Sequence, residues 1–239
     1  EAAINDVAYG ADRRSVFLHM STWLEPDSVW RYRPSKGYRQ IELAPDPAVD
    51  TSAYRVQNGS VVARDGAEVP VTLISRRGLA RNGQAPCCVV AYGAYGQSLT
   101  ASFDPMSIAL LEQGGIKVIA HVRGGGELGR EWWMAGLGPT KANTWRDLID
   151  VCQDLVNDGW TSSSRLAISG GSAGGIAVGR AMTERPDLFG LVASSGGVLN
   201  PLRFEFEANG LANVPEFGSI ATQDGFNGLL AMDTLHSIS

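Results

Sequence analysis

The sequence predicts an α/β protein: a mostly parallel sheet wrapped by helices on both faces and preceded by antiparallel strands. Three observations predict it. From about residue 86, short apolar runs alternate with segments of helical periodicity, the pattern of strands joined through crossover helices. Before that, residues 4–77 hold short β-prone runs separated by turn-formers. The segment 144–157 is amphipathic, with Trp145, Leu148, Ile149, Cys152, Leu155 and Val156 on one face at 3.6-residue spacing.

The β-rich part contains runs at 16–20, 28–32, 60–63 and 69–74. Turn chemistry lies at Pro34-Ser35-Lys36-Gly37, Asn58-Gly59 and Asp65-Gly66. A polar stretch, 76–84, leads into the alternating part. There, 87–92 reads as a strand, 106–113 as a helix ended by Gly114-Gly115, and 116–122 as a second strand. Asn143 or Thr144 can cap the amphipathic helix at its start, and Gly159 follows its end. A third strand at 165–169, a helix at 174–184 stopped by Pro186, and a fourth strand at 191–195 continue the alternation.

Bulk properties narrow the class. The chain has 239 residues, 44% hydrophobic and 19% charged, enough for one sizeable core or one domain and part of another. Net charge is −5, and no Lys/Arg-rich patch stands out, so nucleic acid is not an expected partner. No apolar run approaches the roughly 18 residues of a membrane span. Glu1-Ala2-Ala3-Ile4 lacks the layout of a signal peptide, and the apolar stretch after Arg13-Arg14 is too short for a twin-arginine signal. The start therefore reads as a cut or processed end, and the compartment stays open. Cys87, Cys88 and Cys152 are too few for a disulfide framework and are expected as buried packing residues. No His/Cys cluster suggests a metal, and no cofactor is expected.

Chemistry concentrates at Leu166-Ala167-Ile168-Ser169-Gly170-Gly171-Ser172-Ala173-Gly174-Gly175. Gly170-x-Ser172-x-Gly174, read as strand, tight turn and helix, is the nucleophile elbow of α/β-hydrolases. Side chains at the glycines would strike the flanking strand and helix. The turn holds the serine hydroxyl clear of the sheet edge, and the Ala173 N–H points to where an oxyanion would form. The alternative is a glycine turn whose serine only caps the helix.

A second glycine-rich stretch, Arg123-Gly124-Gly125-Gly126-Glu127-Leu128-Gly129, matches GxGxxG after a strand. The next strand comes too late for a compact dinucleotide-binding unit. A buried turn, with Arg123 and Glu127 paired or capping, is the expected reading. His19 and His121 read as structural. Only His236 follows Ser172, as α/β-hydrolase order requires of the base. Asp187, Asp224 and Asp233 are nominal acids, but a helix and a strand should separate acid from base.

From about residue 53 onward the sequence resembles the prolyl oligopeptidase family, including its oligopeptidase B-like members. The resemblance rests on the elbow, on Arg123-Gly124-Gly125-Gly126-Glu127, and on Tyr92-Gly93-Ala94-Tyr95-Gly96. It rests also on Lys141-Ala142-Asn143-Thr144-Trp145-Arg146-Asp147 and Arg185-Pro186-Asp187-Leu188-Phe189. It implies an α/β-hydrolase domain joined to a β-propeller, with residues 1–50 as the propeller's end and 51–239 as part of the hydrolase domain. Ser172 resembles the family nucleophile, Tyr92 the tyrosine that joins Ala173 in the oxyanion hole, and Tyr95 an aromatic residue of the substrate pocket. Near Asn213-Val214-Pro215-Glu216-Phe217-Gly218, proline-specific members carry a tryptophan and basic-specific members a pair of glutamates. Here Asn213 and Pro215 stand instead, so neither preference is implied. The family's catalytic Asp and His are expected beyond residue 239, which makes the chain an internal fragment whose partner is the rest of its own sequence. The implied activity is serine-type hydrolysis of short peptides through an acyl-enzyme. An esterase or acylaminoacyl-type hydrolase, or a non-catalytic fragment, are the alternatives.

Overall fold

The computed structural model describes residues 2–41 and 50–238. It opens with four strands: β1 (Ala2–Tyr9), β2 (Val16–Thr22), β3 (Ser28–Arg33) and β4 (Gly37–Ile41). They form an antiparallel meander in chain order. The expected boundary at residue 50 abuts residues 42–49, which lie outside the described residues.

Next come β5 (Tyr54–Val62), β6 (Glu68–Arg76), β7 (Cys87–Val90), α1 (Pro105–Glu112), β8 (Ile116–Ala120), α2 (Arg130–Met134) and α3 (Ala142–Asn157). After these follow β9 (Leu166–Gly171), α4 (Gly174–Glu184), β10 (Leu191–Ser195), α5 (Pro201–Phe204), α6 (Val214–Phe217) and α7 (Gln223–Met232). The second sheet has the order β10-β9-β7-β8-β6-β5. β10, β9, β7 and β8 are mutually parallel; β6 and β5 join antiparallel as a hairpin. Mostly parallel strands flanked by helices are the α/β architecture the alternation predicted.

Strand alternation sends neighbouring residues to opposite faces, and the core divides accordingly. Leu73, Val89, Val118 and Ile168 pack on one face against Trp145, Leu148 and Cys152 of α3 and Ile176 and Val178 of α4. Ile74 and Ile119 pack on the other against Ile108 and Leu111 of α1, joined by Trp23 and Tyr54. Trp23 thereby ties the first sheet to the second. Burying Leu148 and Ile149 contributes about 2 kcal/mol each on the usual area scale. Pro105 at the first turn of α1 and the Asp104 side chain accepting from Met106 N explain why that helix begins where it does.

Four local expectations are corrected. Asn58-Gly59 is not a turn. It lies inside β5, where Asn58 and Gly59 pair with Thr72 and Val71 of β6, and the Thr72 hydroxyl donates to Asn58 Oδ1 at 2.9 Å. Cross-strand pairing overrides the local propensity. Neither Asn143 nor Thr144 caps α3; both lie within it. Asn143 donates to the Ala135 carbonyl and Thr144 to the Arg123 carbonyl, at 2.9 and 2.7 Å. Cys87 and Cys152 are buried, but Cys88, on the opposite face of β7, is only partly so. Arg123 and Glu127 do not pair with each other, for reasons given below.

Candidate active site

β9 and α4 meet at Ser172, whose φ of +51° lies in the left-handed region. For a non-glycine residue that costs roughly 1–2 kcal/mol, and strain of this kind persists where surrounding structure over-determines it. The neighbours do so. A Cβ on Gly170 would sit 2.5 Å from the Gly174 carbonyl oxygen, and one on Gly175 2.6 Å from the Gly197 Cα. Ser172 N donates to the Ser195 carbonyl at 3.1 Å, and its own carbonyl accepts from Gly175 N and Val198 N at 3.0 and 2.9 Å. Ser172 is exposed, while Ala173 beside it is 1% exposed. The Ala173 N–H, at the cap of α4, donates to no acceptor among the described residues. It adds to the positive end of the helix.

Tyr92 follows β7, the neighbour of β9. Their pairing continues past the strand through Ala91 N donating to the Ser169 carbonyl at 3.1 Å. Gly174 packs so tightly that a Cβ there would lie 3.3 Å from the Tyr92 Cα. The two strand ends thus place Tyr92 beside Ser172, near enough for the serine side chain to act on the tyrosine hydroxyl. Burial raises the Tyr92 pKa above its ordinary value, the Ser172 contact works against that, and the Glu216 charge adds to it. Tyr92 is therefore a neutral hydroxyl donor near pH 7.

Tyr95 also lies in the left-handed region, with φ +58°. Its hydroxyl donates to Asn213 Oδ1 at 2.5 Å, and its ring meets Phe217 edge-on at 5.5 Å. Burial, together with neighbouring Tyr92 and Glu216, pushes its pKa up to about 12. The structure thus brings Ser172, Ala173 and Tyr92 together, and separately joins Tyr95 to Asn213.

The histidines are engaged elsewhere. His19 contacts Asp27, His121 contacts Thr72 and Glu127, and His236 Nδ1 meets Asp233 Oδ1 at 2.9 Å. Among the described residues none hydrogen-bonds to Ser172, and no group of three or more His, Cys, Asp or Glu is placed to hold a metal.

The glycine-rich turn 123–126 packs against the Tyr92–Gly96 loop backbone to backbone. A Cβ on Gly124 would lie 2.1 Å from the Gly93 oxygen, and one on Gly126 equally close to the Gly96 oxygen. Arg123 turns to Asp147 of α3 and to Asp65, while Glu127 accepts from Leu99 N and faces His121.

Sequence reasoning missed Lys141, Glu216 and Trp133. Lys141 is 1% and Glu216 3% exposed, and they stand 3.7 Å apart under the same loop. One signal was available. A lysine at a helix N-terminus opposes the macrodipole, so Lys141 needed another reason to be there.

Comparison with known proteins agrees with this architecture. Residues 101–237 match the prolyl oligopeptidase family model. The chain belongs to the prolyl oligopeptidase family. It is similar to a prolyl endopeptidase of Elizabethkingia meningoseptica, 27% identical over 237 residues, covering 98% of this chain and 34% of that protein. Protease 2 of Moraxella lacunata is 33% identical over 193 residues, covering 80% of this chain and 28% of that protein. A solved prolyl endopeptidase superposes with a TM-score of 0.93 at 29% identity, over 99% of this chain and 35% of that one. The chain thus spans about a third of the length of these relatives.

Proposed function

We propose that the protein is a serine peptidase cleaving short peptides through an acyl-enzyme on Ser172. The observation that carries this reading is an exposed Ser172, strained at its backbone, with two donors beside it: the Ala173 N–H, which has no acceptor among the described residues, and the neutral Tyr92 hydroxyl. Ser172 Oγ attacks the scissile carbonyl carbon, and the carbonyl electrons move to oxygen. Ala173 and Tyr92 stabilise that oxyanion, which collapses to expel the amine and leave an ester that water then cleaves. Tyr95 and Asn213, linked by their hydrogen bond, line the substrate pocket.

A base must take the Ser172 proton and return it to the leaving amine. Among the described residues neither His19, His121 nor His236 hydrogen-bonds to Ser172, so the reading assigns the base and its orienting acid to the length of the relatives that this chain does not span. It also takes β1–β4, four antiparallel strands, as a propeller blade and residues 51–239 as the hydrolase part.

The test is covalent labelling of the full-length protein by a fluorophosphonate. Wild type is expected to label and Ser172→Ala not to. Tyr92→Phe is expected to label about 100-fold more slowly, since losing one oxyanion donor costs roughly 3 kcal/mol. Equal labelling of wild type and Ser172→Ala would refute the assignment.

A further inference from the structure

The buried pair under the loop bears on how the oxyanion donor is held. Taking an ammonium and a carboxylate out of water is costly, and such pairs are often no more stabilising than apolar side chains of similar size. What the pair grips is therefore more informative than its stability. Lys141 Nζ donates to the Gly93 carbonyl at 2.5 Å and lies 5.4 Å from the Phe217 ring centre. Glu216 Oε1 accepts from Tyr95 N at 2.8 Å, and its Oε2 accepts from Trp133 Nε1 at 3.0 Å. The two charges thus seize the carbonyl of residue 93 and the amide of residue 95, on either side of Ala94. Both points lie within three residues of the Tyr92 hydroxyl donor.

The loop needs such support. Gly93, Tyr95 and Gly96 all have positive φ, at +67°, +58° and +62°. The Gly93 peptide turns in a space where a Cβ would strike Thr144 and Val122 at 2.4 and 2.7 Å. Glu216 belongs to α6, and Asn213 just before α6 holds the Tyr95 hydroxyl. One element therefore contacts both the substrate-pocket tyrosine and, through Lys141, the backbone next to the oxyanion tyrosine.

We propose that Lys141 and Glu216 are positioning residues. They clamp the 93–95 backbone so that the Tyr92 hydroxyl stays at the oxyanion position, and they couple that position to the pocket segment 213–217. The proposal rests on the reading of Ser172 and Tyr92 given above.

The experiment measures the fluorophosphonate labelling of Ser172 in the full-length protein, separating the limiting rate from half-saturation. Lys141→Met and Glu216→Gln keep side-chain bulk and remove the clamp's charge. Each is expected to slow the limiting rate about 10- to 100-fold, the scale of a misplacement of about 1 Å, with half-saturation changed less than about threefold. Made in a Tyr92→Phe background, either change is expected to cost less than about threefold, because both act through the same hydroxyl. Rates at the wild-type level in folded variants, or full multiplicative losses in the Tyr92→Phe background, overturn the clamp and leave the nucleophile assignment standing. Absence of labelling in wild type overturns the nucleophile assignment and the clamp with it. If Lys141→Met does not fold, Glu216→Gln carries the same test.

Discussion

The Arg123–Asp147 pair offers the most direct test of how this fold holds its loops. Asp147 has no exposed side-chain surface, and Arg123 has 8%. The Asp147 carboxylate accepts from Arg123 N at 2.9 Å, from Nε at 2.9 and 3.1 Å, and from Nη2 at 2.5 Å. Burial opposes the Arg123 charge, but hydrogen bonds to Asp147 and Asp65 outweigh it and raise its pKa above the ordinary value. Asp147→Ala leaves a guanidinium buried with one remaining carboxylate, Asp65, whose side chain is 45% exposed. Breaking a buried pair from one side costs about 3–5 kcal/mol, and the surviving Asp65 contact favours the lower end. For a domain of 150–250 residues each kcal/mol lowers Tm by roughly 2–4 °C, so the expected fall is roughly 6–12 °C. Scanning calorimetry of wild type and variant measures it. The double replacement Arg123→Met with Asp147→Leu is expected to regain most of the loss, since no charge is left buried. A fall below about 2 °C for Asp147→Ala, or a double variant worse than the single one, would refute the reasoning.

Other consequences are open to measurement. Gly124→Ala forces a side chain to φ +98° and to 2.1 Å from the Gly93 oxygen. Left-handed strain plus overpacking predicts a loss of about 3 kcal/mol in denaturant unfolding. Burial lowers Lys141 to about 8 from 10.5, against the pull of Glu216. Between these values the unfolded chain binds the proton that the folded chain has lost, so this group's contribution to stability rises with pH across that window. The stability difference, wild type minus Lys141→Met, should therefore grow between pH 7 and 9.5 by about 1–2 kcal/mol, measured by urea unfolding at each pH. Thr222 caps α7 by accepting from Gly225 N; Thr222→Ala is expected to cost about 1 kcal/mol in the same assay.

Much of the α/β layout and the tight turn at Ser172 were legible in sequence because both obey local rules. The 3.6-residue period of Trp145, Leu148, Ile149 and Cys152 reports which face of α3 is buried. Gly170 and Gly175 mark places where a Cβ would overlap nearby backbone, and Ser172 takes the strained φ between them. The rest depended on partners distant along the chain. Arg123 had an acid four residues away in Glu127, yet its partner is Asp147, which the packing of α3 beside β8 presents to it. Asn58-Gly59 had turn chemistry, but β6 alongside drew it into a strand. Glu216 reaches Tyr95 across 121 residues. Periodicity and glycine placement follow from the chain's own backbone geometry. Which buried charge meets which is decided only once the sheet has closed around them, because desolvation makes each charge depend on whatever partner the packing supplies.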